Sequence, residues 1–197
     1  MLDVMEPIRR TGTESFIDCE GNTISSLLDF WQWAYSDLIG NTERGAIAEY
    51  LVAHALGVDE KTRINWDRYD ILSSKGIKIE VKASGYIQTW RQEKLSSIIF
   101  GIQKTHGWDA ASSKYDEDLK RQADVYVFCL LKHTDQRTIN PLNLSQWVFY
   151  LVKTQVLDRE CGDQKSISLK RLEEIGGKPC VYEELAEAIR ECGRAID

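Results

Sequence analysis

Residues 77–83 alternate without a break. Ile77, Ile79, Val81 and Ala83 fall on one side, Lys78, Glu80 and Lys82 on the other. Successive side chains of a strand point to opposite faces, so this reads as a strand with one face in a core. A strand over about 66–72 precedes it, and Ser74-Lys75-Gly76 supplies the turn, which makes the pair an antiparallel hairpin. Upstream, Leu27, Leu28, Trp31, Tyr35 and Leu38 recur at helical spacing. They predict a helix over about 24–38, capped by Asn22 or Thr23 and ended by Gly40. A second helix is predicted over about 43–56, started by Asn41-Thr42 and stopped by Gly57.

Downstream, residues 98–102 form a short apolar run rich in β-branched residues. Residues 124–131 and 147–152 are nearly continuous apolar runs, as expected of strands buried on both faces. The polar stretch 109–122 fits either a helix or a mobile loop, and 168–175 and 182–192 read as closing helices. The pattern predicts a mixed α/β fold: helices, about five strands of one sheet, then helices.

Composition places the chain among ordinary globular proteins. Its 197 residues are 43% hydrophobic and 28% charged, enough for one sizeable core and one domain. The five cysteines are scattered with no C-x-x-C pair, which speaks against a zinc site or a disulfide framework. With no targeting segment or long apolar run, the expected location is the reducing cytoplasm, away from membranes. The net charge of −6 is unevenly spread. Residues 1–60 hold 3 basic and 11 acidic side chains, whereas residues 61–140 hold 14 and 10. The positive excess therefore sits in the third that carries the alternating strand, which permits a phosphate-bearing ligand.

The polar face of that strand raises the chemical question. An acid-x-Lys triplet is common: this chain has Asp59-Lys61, Glu80-Lys82, Asp118-Lys120 and Asp163-Lys165. Only Glu80-Lys82 is predicted on a strand whose other face is core, where spacing two puts both side chains on one face, roughly 7 Å apart. Asp70 lies ten positions earlier on the other arm, and a turn near Ser74-Lys75 brings it towards Glu80. Two carboxylates on one face suit a hard cation that keeps waters and takes phosphate oxygens. Lys82 beside them can orient a water or stabilise charge on phosphorus. Glu49 is the single charged residue across about three turns of the second helix, among Gly45, Val52, Ala53 and Leu56. A carboxylate in such a stripe needs a partner, be it a metal, a water held by one, or Lys82. The plainer alternatives are a charged hairpin face for Glu80-Lys82 and an Arg44 pair for Glu49.

Together these residues resemble the PD-(D/E)xK, or restriction-endonuclease-like, nuclease superfamily, over about residues 41–132. The resemblance implies a mixed central sheet flanked by helices. It further implies a nuclease-like core at 41–132, a helical extension at 1–40, and a strand and helices at 140–197. Asp70 and Glu80 look like the metal-binding carboxylates, Lys82 like the lysine near the attacking water, and Glu49 like the auxiliary acid. Tyr69 stands where the family has proline. Gln88 and Gln92 follow without the tyrosine of the exonuclease branch, which speaks against an exonuclease.

The expectation is a Mg²⁺-dependent endonuclease acting on DNA, with Mn²⁺ as the alternative ion and a homodimer as one form. Two alternatives stand beside it: a non-catalytic nucleic-acid- or protein-binding module on the same fold, and a structural protein with a charged hairpin. His54, His106 and His133 read as ordinary surface or structural histidines. Lys104, His106 and Arg121 are offered as phosphate contacts, and Trp66, Trp90 and Trp108 as places where bases could stack.

Overall fold

The structure is a computed structural model that describes residues 5, 7–64, 68–109 and 114–193. The chain opens with a small hairpin, β1 (Ser15–Ile17) and β2 (Thr23–Ser26). Its turn is tied by the Asp18 carboxylate, which accepts the Glu20 and Asn22 N–H groups, and by Gly21 at a φ of 87°. Helix α1 (Leu27–Tyr35) follows at once, capped by Ser26 in a reciprocal pair with Asp29. The predicted helix start at 24 is therefore early by three residues, because Thr23–Ser26 pairs with Ser15–Ile17 and Ser26, not Asn22 or Thr23, caps the helix.

Helix α2 (Asn41–Leu56) matches its prediction to within two residues. It ends at Gly57, whose φ of 66° lets its N–H close back on Ala53 and His54. Arg44, Ala48, Leu51 and Val52 make its buried stripe. The hairpin that follows is β3 (Ile71–Leu72) and β4 (Lys78–Gly85), antiparallel as predicted. Gly76 at a φ of 82° makes the turn possible, with the Ser73 hydroxyl accepting the Ile77 N–H.

β5 (Ile99–Gly101) forms the expected strand but not in the expected sheet. The stretch 109–122, read as a helix or loop, instead supplies β7 (Lys114–Lys120), which pairs with β6 (Thr105–Asp109) in an antiparallel ribbon. Its polar sequence carries no apolar alternation, because most of it faces water. Asp118-Lys120 thus also lies on a strand, so burial rather than strand context sets Glu80-Lys82 apart. β8 (Val125–Leu131) is buried along its whole length. A single 3₁₀ turn (Leu144–Gln146) leads into β9 (Trp147–Lys153) and then α3 (Thr154–Cys161). Next come β10 (Ser166–Ser168), α4 (Leu169–Glu174), β11 (Lys178–Cys180) and α5 (Tyr182–Gly193).

The central sheet has the order β11-β9-β8-β4-β3, with β4 and β8 parallel and the other neighbours antiparallel. β5 pairs outside it, with β10. The alternation of β8 divides the core in two. Val125, Val127, Cys129 and Leu131 meet Ile79 and Val81 of β4 and the stripes of α2 and α5. Tyr126, Phe128 and Leu130 turn to the opposite face, against Phe100, Ile102, Leu157, Ile167 and Leu172. Burial on both faces explains the unbroken apolar runs. Glu80 stands beside Tyr126 and Lys82 beside Phe128 in the parallel register. Their polar stripe therefore borders the second core at the flank of the sheet. No helix among the described residues is long and apolar enough to cross a membrane.

Candidate active site

The β3–β4 hairpin positions the first pair of acids. Ile71 stands opposite Ile79 and Leu72 opposite Lys78, which leaves Asp70 just before β3, against Ile79 and Val81 of β4 on either side of Glu80. Asp70 is strapped across β4 at two points. Its N–H donates to the Ile79 carbonyl at 3.1 Å, and its Oδ2 accepts the Val81 N–H at 2.7 Å. Oδ1 takes no hydrogen bond among the described residues. Solvent reaches Asp70 from an open cleft, while protein walls press around its carboxyl on the other sides. That burial, with the charges of Glu80 and Glu49, pushes the carboxyl up to about 7. The Val81 N–H and Lys82 pull weakly the other way.

Lys82 Nζ donates to Glu80 Oε1 at 2.5 Å, two residues away on the same strand face. Burial lowers the ammonium's pKa. The Glu80 charge and hydrogen bond, with Asp70 and Glu49, outweigh it, so the net shift is upward. Lys82 is therefore a fixed positive charge at neutral pH rather than a base.

Glu49 comes from α2 and faces the same cleft as Asp70. Its partner is none of the expected ones. Arg63, in the segment after α2, forks it with two hydrogen bonds, Nε to Oε2 at 2.5 Å and a terminal nitrogen to Oε1 at 2.7 Å. Glu49 raises the pKa of Arg63 above its ordinary value, and Asp70 adds to the effect. Arg44 is instead buried in the α2 stripe, where it donates to the Ile39 carbonyl, the Asn41 side chain and Gln88. Gln88 and Gln92 brace the loop after β4 through Gly85, Tyr86 and Ser96.

Among the described residues no three His, Cys, Asp or Glu side chains converge closely enough to hold a metal ion by themselves. The donor set present is Asp70 with its bare Oδ1, crowded by Glu80 and Glu49. Such a set fits a hard cation that is held by one or two carboxylates and completes its shell with water and phosphate oxygens.

The other candidates disperse. Arg121 is buried, donating to the carbonyls of Ile102, Gly162 and Gln164 and pairing with Asp158. It is a structural clasp between β7–β8 and α3, not a phosphate contact. Lys104 pairs with Asp163 at 2.7 Å, and His106 Nδ1 lies 2.9 Å from the Asp116 carbonyl. Trp108 packs on Tyr115, Trp90 is exposed, and Trp66 lies outside the described residues. His54 and His133 sit at the surface beside Asp59 and Thr138.

Residues 10–171 match the family model described as bacteriophage T4 endonuclease IV. The chain belongs to this family. No curated protein matches it. The span matched by the endonuclease IV family includes Glu49, Asp70, Glu80 and Lys82, and it ends within α4.

Arg63 and Tyr50 are the members of this endonuclease-family cleft that sequence reasoning missed. Arg63 sits 14 positions from Glu49 in a segment without periodicity, so no spacing rule links them. Tyr50 is the chain neighbour of Glu49, and a helix stripe does not reveal that its ring lines a cleft.

Proposed function

We propose that this chain is a metal-dependent endonuclease acting on DNA, with a centre of the PD-(D/E)xK kind built on a restriction-endonuclease-like sheet. The observation that carries the reading is that Asp70, which lines the cleft with Glu49, is electrostatically coupled to the Glu80–Lys82 pair on β4. The endonuclease family supports the reaction class. Asp70 and Glu80 would hold Mg²⁺ or Mn²⁺, with Glu49 in reserve for a second ion or the outer shell. The ion supplies acidification of a water and charge neutralisation at phosphorus.

The chain's own groups do the rest. The Val81 N–H fixes Oδ2 of Asp70 and leaves Oδ1 without a hydrogen bond among the described residues. Glu80 anchors the Lys82 ammonium, which stays charged and can donate to an attacking water or to the phosphate oxygens as charge develops. Arg63 must loosen its grip on Glu49 for that acid to act, and its guanidinium can then turn towards phosphate. The test is cleavage of plasmid, linear duplex and single-stranded DNA with Mg²⁺, Mn²⁺ or EDTA, comparing wild type with Glu80→Ala and Lys82→Ala.

A second reading is a non-catalytic binding module on the same fold. It is favoured by the pairing of Glu49 with Arg63 and of Glu80 with Lys82, which satisfies both acids without an ion. It predicts nucleic-acid or protein binding with no cutting in any divalent ion.

A further inference from the structure

The cleft does not stop at the carboxylates. It encloses about 610 Å³, within the size range of small-ligand sites, about 300–1,000 Å³. One wall is a face of α2 on which Ala46, Glu49, Tyr50 and Ala53 recur at spacings of three and four. A second wall is the segment that follows Gly57, including Val58 and Arg63. The third is β3 with its turn.

We propose that this cleft receives a nucleobase of the nucleotide adjoining the bond that is cut, stacked against Tyr50. The inference rests on the nuclease reading above and names a subsite for it. Glu49 and Asp70 belong to both the carboxylate cluster and the cleft wall, so a phosphate engaged at Asp70 delivers its neighbouring nucleotide to the cleft mouth. Ala46 and Ala53 keep the α2 wall flat, and Val58 and Ile71 give apolar sides suited to a base rather than to a second phosphate. Arg63 at the rim supplies positive charge where the sugar-phosphate chain enters.

Tyr50 is 53% exposed, yet its ring is held in place. It stacks on His54 with centroids 5.6 Å apart and planes 21° from parallel, and His54 is in turn 2.9 Å from Asp59. A ring fixed before binding loses little freedom on stacking, and every base offers a π-face to it. Neither Tyr50 nor His54 has a role in the core. Their ordered pairing beside the carboxylates is what the subsite explains.

The experiment uses a short oligodeoxynucleotide carrying 2-aminopurine, titrated in EDTA with wild type, Tyr50→Ala and Tyr50→Trp, alongside cleavage kinetics in Mg²⁺. The account expects quenching on wild-type binding, a loss of about 5- to 150-fold in affinity for Tyr50→Ala, and recovery with Tyr50→Trp. In cleavage, the Tyr50→Ala loss falls mainly on KM. Wild-type affinity and KM in a folded Tyr50→Ala protein, with cutting intact, overturn the subsite and leave the nuclease standing. A wild type that neither binds nor cuts the oligonucleotide overturns both.

Discussion

Arg63 grips Glu49 with two hydrogen bonds, of 2.5 and 2.7 Å, in the cleft that Asp70 also lines. Arg63 is about half exposed and Glu49 largely covered, so the pair is partly screened by solvent. A cation placed there competes with any divalent ion for the same carboxylates. Arg63→Ala is therefore expected to tighten metal binding, lowering the apparent Mg²⁺ requirement by up to about 5-fold. Isothermal titration of Mg²⁺ or Mn²⁺ into both proteins checks it, and weaker binding in the variant contradicts it.

Asp70 ties stability to pH. Its folded pKa, about 7, lies above the ordinary 3.8, so the folded protein favours the protonated form. The stabilisation is complete below the ordinary value and is lost as pH rises through about 7. In EDTA, the melting temperature should fall between pH 5 and pH 8, and Asp70→Asn should remove that part of the fall. Divalent ions, which favour the ionised carboxylate, should restore stability at pH 8 in wild type but not in Asp70→Asn.

Lys82 is held charged by Glu80, Asp70 and Glu49, so its contribution is electrostatic. Lys82→Gln should lower kcat by about 100- to 1,000-fold, with KM changed far less. Since the lysine is not a base, the pH profile of the residual activity should keep the midpoint of wild type. A profile that shifts with the substitution would assign Lys82 a proton-transfer role instead.

Arg121 separates structure from binding. Its side chain is fully buried and satisfies three carbonyls and Asp158. Arg121→Met strands those acceptors and should cost about 3 kcal/mol, lowering the melting temperature by about 6–12 °C. DNA affinity of the folded fraction should be unchanged, as measured by anisotropy below the transition.

What the sequence made legible follows from which partners are local. The hairpin was readable because Ile77 to Ala83 alternate and Gly76 sits where a positive φ is needed, and that turn brings Asp70 against β4 beside Glu80. Helix α2 was readable from its stripe and from Gly57. β8 and β9 announced themselves by apolar runs, since both their faces are covered. The β1–β2 hairpin was hidden because its strands are short and mostly exposed, and β6–β7 because Lys114–Lys120 is mostly charged and exposed, without apolar alternation. β5 was recognised as a strand, but its pairing with β10 spans more than sixty residues, beyond any local pattern. At the site, Glu80 and Lys82 share a face by spacing alone. The Arg63 grip on Glu49 depends on how the chain returns after α2, which spacing does not encode.

The most direct test of the central claim is cutting of plasmid, linear and single-stranded DNA by wild type and Glu80→Ala, each in Mg²⁺, Mn²⁺ and EDTA. The account predicts metal-dependent cutting by wild type that vanishes in EDTA and in Glu80→Ala, with both proteins folded. Cutting that survives Glu80→Ala at the wild-type rate would contradict it and place the catalytic centre elsewhere in the molecule.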